Sequence, residues 1–136
     1  MNAAGRPDHS LVERVSEFNK KKVKLFVDAV LNEGRLELID ELVAADYVGC
    51  VLGCEPGILG PEGVRRLVAT RRRSDPALYI KIEDQIAEQD LVVTRWRAIA
   101  DAPAAGRVGS RCAGISIVRL LAGKQVDSHT AFARLT

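Results

Sequence analysis

Near residue 79 the period of the chain changes, and this limits its fold more than any other feature. Before that point apolar residues recur every three to four positions; after it they alternate with polar ones. Over 11–32 the apolar set is Val23, Phe26, Val27, Val30 and Leu31, one helix face, with Lys20, Lys21, Lys22 and Lys24 largely on the other. Gly34 is placed to stop that helix. A shorter one follows on Leu38, Ile39, Leu42 and Val43. Pro61, after Gly60, suits the first turn of a third, where its missing N–H is not needed. This third helix should bury Val64, Leu67 and Val68. From Tyr79 onward Ile80, Ile82 and Ile86 alternate with Lys81, Glu83 and Gln85, and three more strand-like segments occupy 91–100, 111–121 and 125–135. "AEQD" and "LAGK" read as hairpin turns, and 101–110 as a longer connection rich in Gly, Ala and Pro. "DYVGCVLGCEPGILG" (46–60) reads as a loop with at most one short strand. Helices first and hairpin-joined strands afterward predict an α+β domain with helices on one face of an antiparallel sheet.

A chain of 136 residues, 47% hydrophobic and 28% charged, is long enough for one domain with a real core. We expect that domain over 11–136, behind a flexible lead at 1–10 in which Asp8 or Ser10 could cap the first helix. The net charge of +2 calls for neither nucleic acid nor an anionic membrane. The arginines at 65, 66 and 71–73 read as a solvated helix face without an RNA-binding aromatic motif beside them. No apolar run approaches a membrane span and the start lacks a hydrophobic signal core, so the expectation is cytoplasmic. Three cysteines, Cys50, Cys54 and Cys112, read as free thiols, and with only His9 and His129 no zinc site is expected.

Candidate chemistry lies mostly in the later strands. In "QVDSHTAF" (125–132), Asp127 and His129 are two positions apart, on one strand face, with Cα atoms ~6.6 Å apart at ~3.3 Å per residue. They suit two groups touching one substrate or one water; the alternative is that they face outward or a dimer partner. Trp96, with Tyr47, Phe26 and Phe132, would wall a flat apolar ligand, or it is ordinary core. The Tyr47 hydroxyl could polarise a carbonyl. Cys50 could line the pocket, whereas Cys54 reads as loop packing. Arg95 and Arg97 should point away from Trp96, and Val93, Ile99 and Val118 suggest an apolar second face and a homodimer.

Three stretches, "GPEGVRRLV" (60–68), "IEDQIAEQDLVVTRW" (82–96) and "GISIVRLLAGKQVDSH" (114–129), resemble the SnoaL-like polyketide cyclases of the nuclear-transport-factor-2-like superfamily. The resemblance spans roughly 18–132. It implies a cone-shaped α+β barrel with a pocket between helices and curved sheet, no metal or organic cofactor, and a small apolar or polyketide-like ligand. It also implies a cofactor-independent acid/base enzyme that uses a late acidic residue for an intramolecular aldol addition; as the C-terminal strands offer no other carboxylate or imidazole, Asp127 is the candidate base and His129 the candidate acid or orienting donor. The superfamily further contains non-catalytic binding domains and epoxide hydrolases, which stand as alternatives. Two departures bear on the choice: Cys50 stands where many relatives carry histidine, and Ala131, Phe132 and Ala133 replace a tryptophan followed by an aspartate.

Overall fold

The structure, a computed structural model, describes residues 9–102 and 107–135, and the side chains of 10–100 and 111–135. Residues 1–8, most of the expected lead with its candidate cap Asp8, lie outside the described residues, as does 103–106 of the expected 101–110 connection. Helix α1 runs His9–Leu25 and continues over Phe26–Asn32 in a wider, π-helical winding. Gly34 ends it at φ 73°, a left-handed conformation that glycine adopts without a Cβ penalty, with its N–H donating to the Val30 carbonyl at 3.1 Å. The predicted second helix is one short 3₁₀ turn, Leu36–Leu38, followed by α2 (Ile39–Leu42). Helix α3 spans Gly60–Ser74, with Pro61 in its first turn as expected.

Among the described residues six strands follow the helical pattern or interrupt it: β1 (Val43–Val51), β2 (Cys54–Leu59), β3 (Leu78–Glu88), β4 (Leu91–Ala102), β5 (Arg107–Leu121) and β6 (Lys124–Arg134). Their order is β2-β1-β6-β5-β4-β3, an open sheet. Two expectations need correction. The glycine-rich 46–60 region holds most of β1 and all of β2, because its glycines sit at a tight turn, where Gly53 takes φ 79°, and at close approaches rather than breaking the strands. And the sheet is mixed: β1 lies parallel to β6 while every other pair is antiparallel. A parallel partner needs a crossover, and the whole α3–β5 stretch supplies it. The "LAGK" hairpin forms as predicted, with Ala122 (φ 52°) and Gly123 (φ 79°) at its tip, the twist that matches two right-twisted strands.

One face of the sheet carries the helices. Asn32 fastens the end of the first helix to β3: its amide donates to the Ile80 carbonyl at 2.9 Å and accepts from the Ile80 N–H at 2.7 Å. Among the described residues the buried side chains fall into three clusters rather than one. Val30, Ile39, Leu42, Val43, Tyr47, Val64 and Val68 pack at one end, Val23, Val92, Val118 and Leu120 at another, and Val27, Ile80 and Ala98 in a third. Fully burying a side chain such as Val30, Ile39 or Val68 stabilises by roughly 1.5–3 kcal/mol. Val118 therefore belongs to the helix side and not to the second face. Leu67, predicted to be buried, is 46% exposed.

Candidate functional site

A row of polar residues crosses the sheet between the cluster of Val92 and Val118 and that of Ile80 and Ala98. Strand register aligns Gln85 with Thr94, Thr94 with Ser116, and Ser116 with Thr130. Thr94 is 2% exposed, so the row runs through the interior. The next row holds Ile82, Trp96, Gly114 and Phe132. Gly114 lets the indole lie across β5: a Cβ there would meet Trp96 Cζ2 at 2.3 Å. From that position the indole N–H donates to Ser116 Oγ at 3.0 Å, and Ser116 Oγ lies 2.9 Å from Thr130 Oγ1. Phe132 stands beside the indole, ring centroids 6.2 Å apart. Phe132 is 49% exposed and Trp96, Ser116 and Thr130 are part-buried, so this helix-side surface is open to a ligand.

On the neighbouring strand pair Tyr47 Oη and Ser128 Oγ form a buried hydrogen bond of 2.6 Å. Burial pushes the Tyr47 phenol above its ordinary 10.0, and the Ser128 bond pulls the other way without cancelling it. The phenol is thus held neutral, as a donor, well past neutrality. Hydrogen counting shows what these groups can do. An indole N–H only donates, whereas a hydroxyl donates once and accepts twice. In Trp96–Ser116–Thr130 three hydrogens serve two bonds; in Tyr47–Ser128 two serve one. Each set keeps one hydroxyl hydrogen for an outside acceptor.

Gln125 extends the line. The register of β6 shifts between its pairings at 125 and 127, so Gln125 falls in phase with Ser128 and Thr130 instead of with Asp127. It is 3% exposed, and its amide nitrogen has no hydrogen-bond partner among the described residues. Such a group normally has a water or ligand acceptor.

Of the residues singled out in the sequence, the structure gathers Trp96 and Phe132 at one place and Tyr47 close by; Phe26 packs on the cluster that contains Tyr47. Asp127, His129 and Cys50 stand on the other side of the sheet. Because alternation sends Ser128 and Thr130 toward the helices, Asp127 and His129 point away. Asp127 lies 3.5 Å from Arg119, which also pairs with Asp90 at 2.6 Å. His129 is exposed, in register with Ile117 and with exposed Cys50. The expectation that this pair and Cys50 line the helix-side surface is corrected: side-chain alternation, not chemistry, decides it. Arg95 and Arg97 do point outward as read, pairing with Asp84 and Glu83. Ser116, Thr130, Ser128, Gly114 and Gln125 went unremarked as site residues in the sequence. The spacing Ser128, Thr130, Phe132 was the available signal, since it puts an aromatic and two hydroxyls on one face.

No described carboxylate or imidazole side chain belongs to these rows. Among the described residues no three His, Cys, Asp or Glu side chains gather as a metal site would require. A groove of about 380 Å³ lies elsewhere, between the first helix and edge strand β3, lined by Lys24, Asp28, Asn32 and residues 79–85. It is shallow, open and crossed by the Lys24–Asp28 ion pair, which makes it a poor receptacle for an apolar ligand.

The profile of the SnoaL-like domain family matches residues 23–129. Among solved structures, a candidate polyketide cyclase from Bacillus cereus superimposes with TM-score 0.74 at 20% identity, covering 97% of this chain and 90% of that one. IdmH, a candidate polyketide cyclase from Streptomyces antibioticus, gives 0.69 at 22%, covering 84% and 91%. An epoxide hydrolase of the LEH-like kind from M. tuberculosis gives 0.66 at 18%, covering 87% and 84%. At such identities the likeness shows the fold alone. No curated protein matches the chain.

Proposed function

Because the chain belongs to the SnoaL-like domain family, we propose that it binds a flat, carbonyl-bearing small molecule of polyketide type on the helix side of its sheet. The observation that carries this reading is the pair of hydroxyl networks, each with a spare hydrogen, beside an apolar wall of Trp96 and Phe132. Spare donors in a partly dry site suit ketone oxygens, and stabilise them further when they gain negative charge as enolates. Without a carboxylate or imidazole in the described rows, binding with carbonyl polarisation ranks ahead of acid/base cyclisation through Asp127 and His129, and of epoxide hydrolysis. Tyr47 is the best-placed group to give a proton if there is turnover.

The test is a titration of Trp96 fluorescence with a hydroxylated anthraquinone. Ser116→Ala/Thr130→Val and Tyr47→Phe should each weaken binding about 5- to 20-fold, the worth of one or two hydrogen bonds. Asp127→Asn and His129→Ala should leave it unchanged. The cyclase reading prevails instead if Asp127→Asn abolishes turnover of a polyketone while binding survives. No quenching by any flat ligand, with the fold intact, defeats both.

We also propose a homodimer joined through the opposite face. Val48, Ile115 and Ile117 there are 42%, 50% and 41% exposed, flanked by balanced Arg–Asp and Arg–Glu pairs that a second copy can meet without net repulsion. No helix among the described residues is long and apolar enough to cross a membrane.

A further inference from the structure

Among the described residues, the amide nitrogen of Gln125 is the only buried side-chain nitrogen or oxygen without a hydrogen-bond partner. Strand register fixes where it stands. Gln125 pairs with Leu120 and Ser128 with Val118, two residues apart on β5, so Gln125 is the next helix-side residue along β6 after Ser128. One such step is ~6.6 Å, at ~3.3 Å per residue. Tyr47 reaches the same place from β1. Its phenol folds over Gly49, the register partner of Ser128, so closely that a Cβ on Gly49 would meet Tyr47 Oη at 2.5 Å.

The neighbours of Gln125 across the sheet are apolar. On one side it is in register with buried Val43, of the cluster that also holds Tyr47. On the other it is in register with buried Leu120, of the cluster that holds Val23, Val92 and Val118. These two clusters are separate, and Gln125 stands at the seam between them. An amide donor there has given up water and no described group replaces it, a loss that an apolar side chain of the same shape would not incur. One strand step away the Tyr47–Ser128 pair keeps a spare hydroxyl hydrogen. An acceptor oxygen rests about 2.9 Å from each donor, so two such bonds span nearly one strand step. A single oxygen between the two rows therefore comes within reach of both.

We propose that Gln125 and the Tyr47–Ser128 pair together bind one carbonyl oxygen of the ligand, at the seam between the two clusters. The inference rests on the ligand-binding reading above and adds an orientation to it. Phe132 stands two same-face steps from Ser128 along β6, ~13 Å at the same rise. A ligand that touches both is a flat rod lying along β6, with its rings against Trp96 and Phe132 and its oxygen at the seam. A resident water would satisfy the Gln125 amide as well, but it would leave the choice of ligand indifferent to this residue.

The experiment titrates Trp96 fluorescence of the full chain with 2-acetylanthracene and with 2-isopropenylanthracene. These flat rods differ only in carrying a carbonyl oxygen or a methylene group at one end. Wild type should bind the ketone at least about tenfold more tightly, the worth of two hydrogen bonds. Gln125→Met keeps the length of the side chain and removes its donors, so it should cut that ratio at least about threefold. It should also raise the melting temperature of the unliganded protein by roughly 2–6 °C, because a buried donor without a partner is gone. Tyr47→Phe should cut the ratio too. Near-UV circular dichroism shows whether each variant retains the Trp96 environment; if Gln125→Met does not, Gln125→Leu and the wild-type ratio still decide. A ratio unchanged by Gln125→Met overturns the inference, and a lowered melting temperature alongside it identifies a resident water as the partner of the amide. Equal binding of both probes by wild type overturns the oxygen site while leaving the aromatic wall standing. Binding of neither probe, with the fold intact, overturns this inference together with the reading beneath it.

Discussion

Gly114→Ala puts a methyl carbon where the Trp96 indole already lies. The new carbon would sit 2.3 Å from Cζ2, 2.7 Å from Cε2 and 2.8 Å from Cη2. Carbon atoms rest at about 3.5–4.0 Å, so the ring must withdraw by roughly 1 Å or more. Overpacking of this kind costs about 1–3 kcal/mol. Withdrawal also strains or breaks the bond to Ser116, worth about 0.5–1.5 kcal/mol. Against this, alanine in a strand gains about 0.5–1 kcal/mol over glycine by restricting the unfolded chain. The expected result is a net loss of about 1–3 kcal/mol. In a Trp96→Ala background the obstacle is gone and only the gain remains, so the same change should stabilise by about 0.5–1 kcal/mol. Urea unfolding of all four variants, followed by far-UV circular dichroism so that Trp96 is not its own reporter, gives the cycle. A cost of the same size and sign in both backgrounds would show that the indole does not lie over Gly114, and the placement of Ser116 and Thr130 around it would fall as well.

Tyr47 gives a pH prediction. Its phenol is raised by burial, so the folded state holds that proton more tightly than the unfolded chain does; the associated stability is complete below the ordinary value of 10.0 and is lost as pH rises above it. Tyr47→Phe should therefore remove a component of alkaline destabilisation, read as unfolding midpoints between about pH 9 and 11.5. On the opposite face, Ile115→Lys/Ile117→Lys should turn a dimer into a monomer in light scattering without unfolding it; a wild-type monomer at all micromolar concentrations contradicts the proposed interface. Val30→Ala, at a fully buried position, should cost about 1–3 kcal/mol in the same urea assay, and a cost near zero would mean that the first helix does not pack as described.

The sequence by itself determined the first and third helices, the four later strands and their order, but not the two strands within 43–59. The period of Val23, Val27 and Val30 could only be a helix with one buried face, Gly34 could end it at positive φ, and "LAGK" could close a hairpin, because each of these depends on residues within one turn or one strand pair. It also put Trp96 inside under either of its readings, since large aromatics favour burial. Which face of the last strand met the helices was decided by the tertiary structure alone. Alternation separates Asp127 and His129 from Ser128 and Thr130 but does not name the inner set. The helices chose Ser128 and Thr130 by covering that side, and the irregular register before Asp127 then brought Gln125 onto it. The parallel pairing of β1 with β6 was equally unreadable, since it joins segments some 80 residues apart and depends on how the whole chain between them returns. A strand's period is a property of its own backbone; the side it buries is a property of what packs against it.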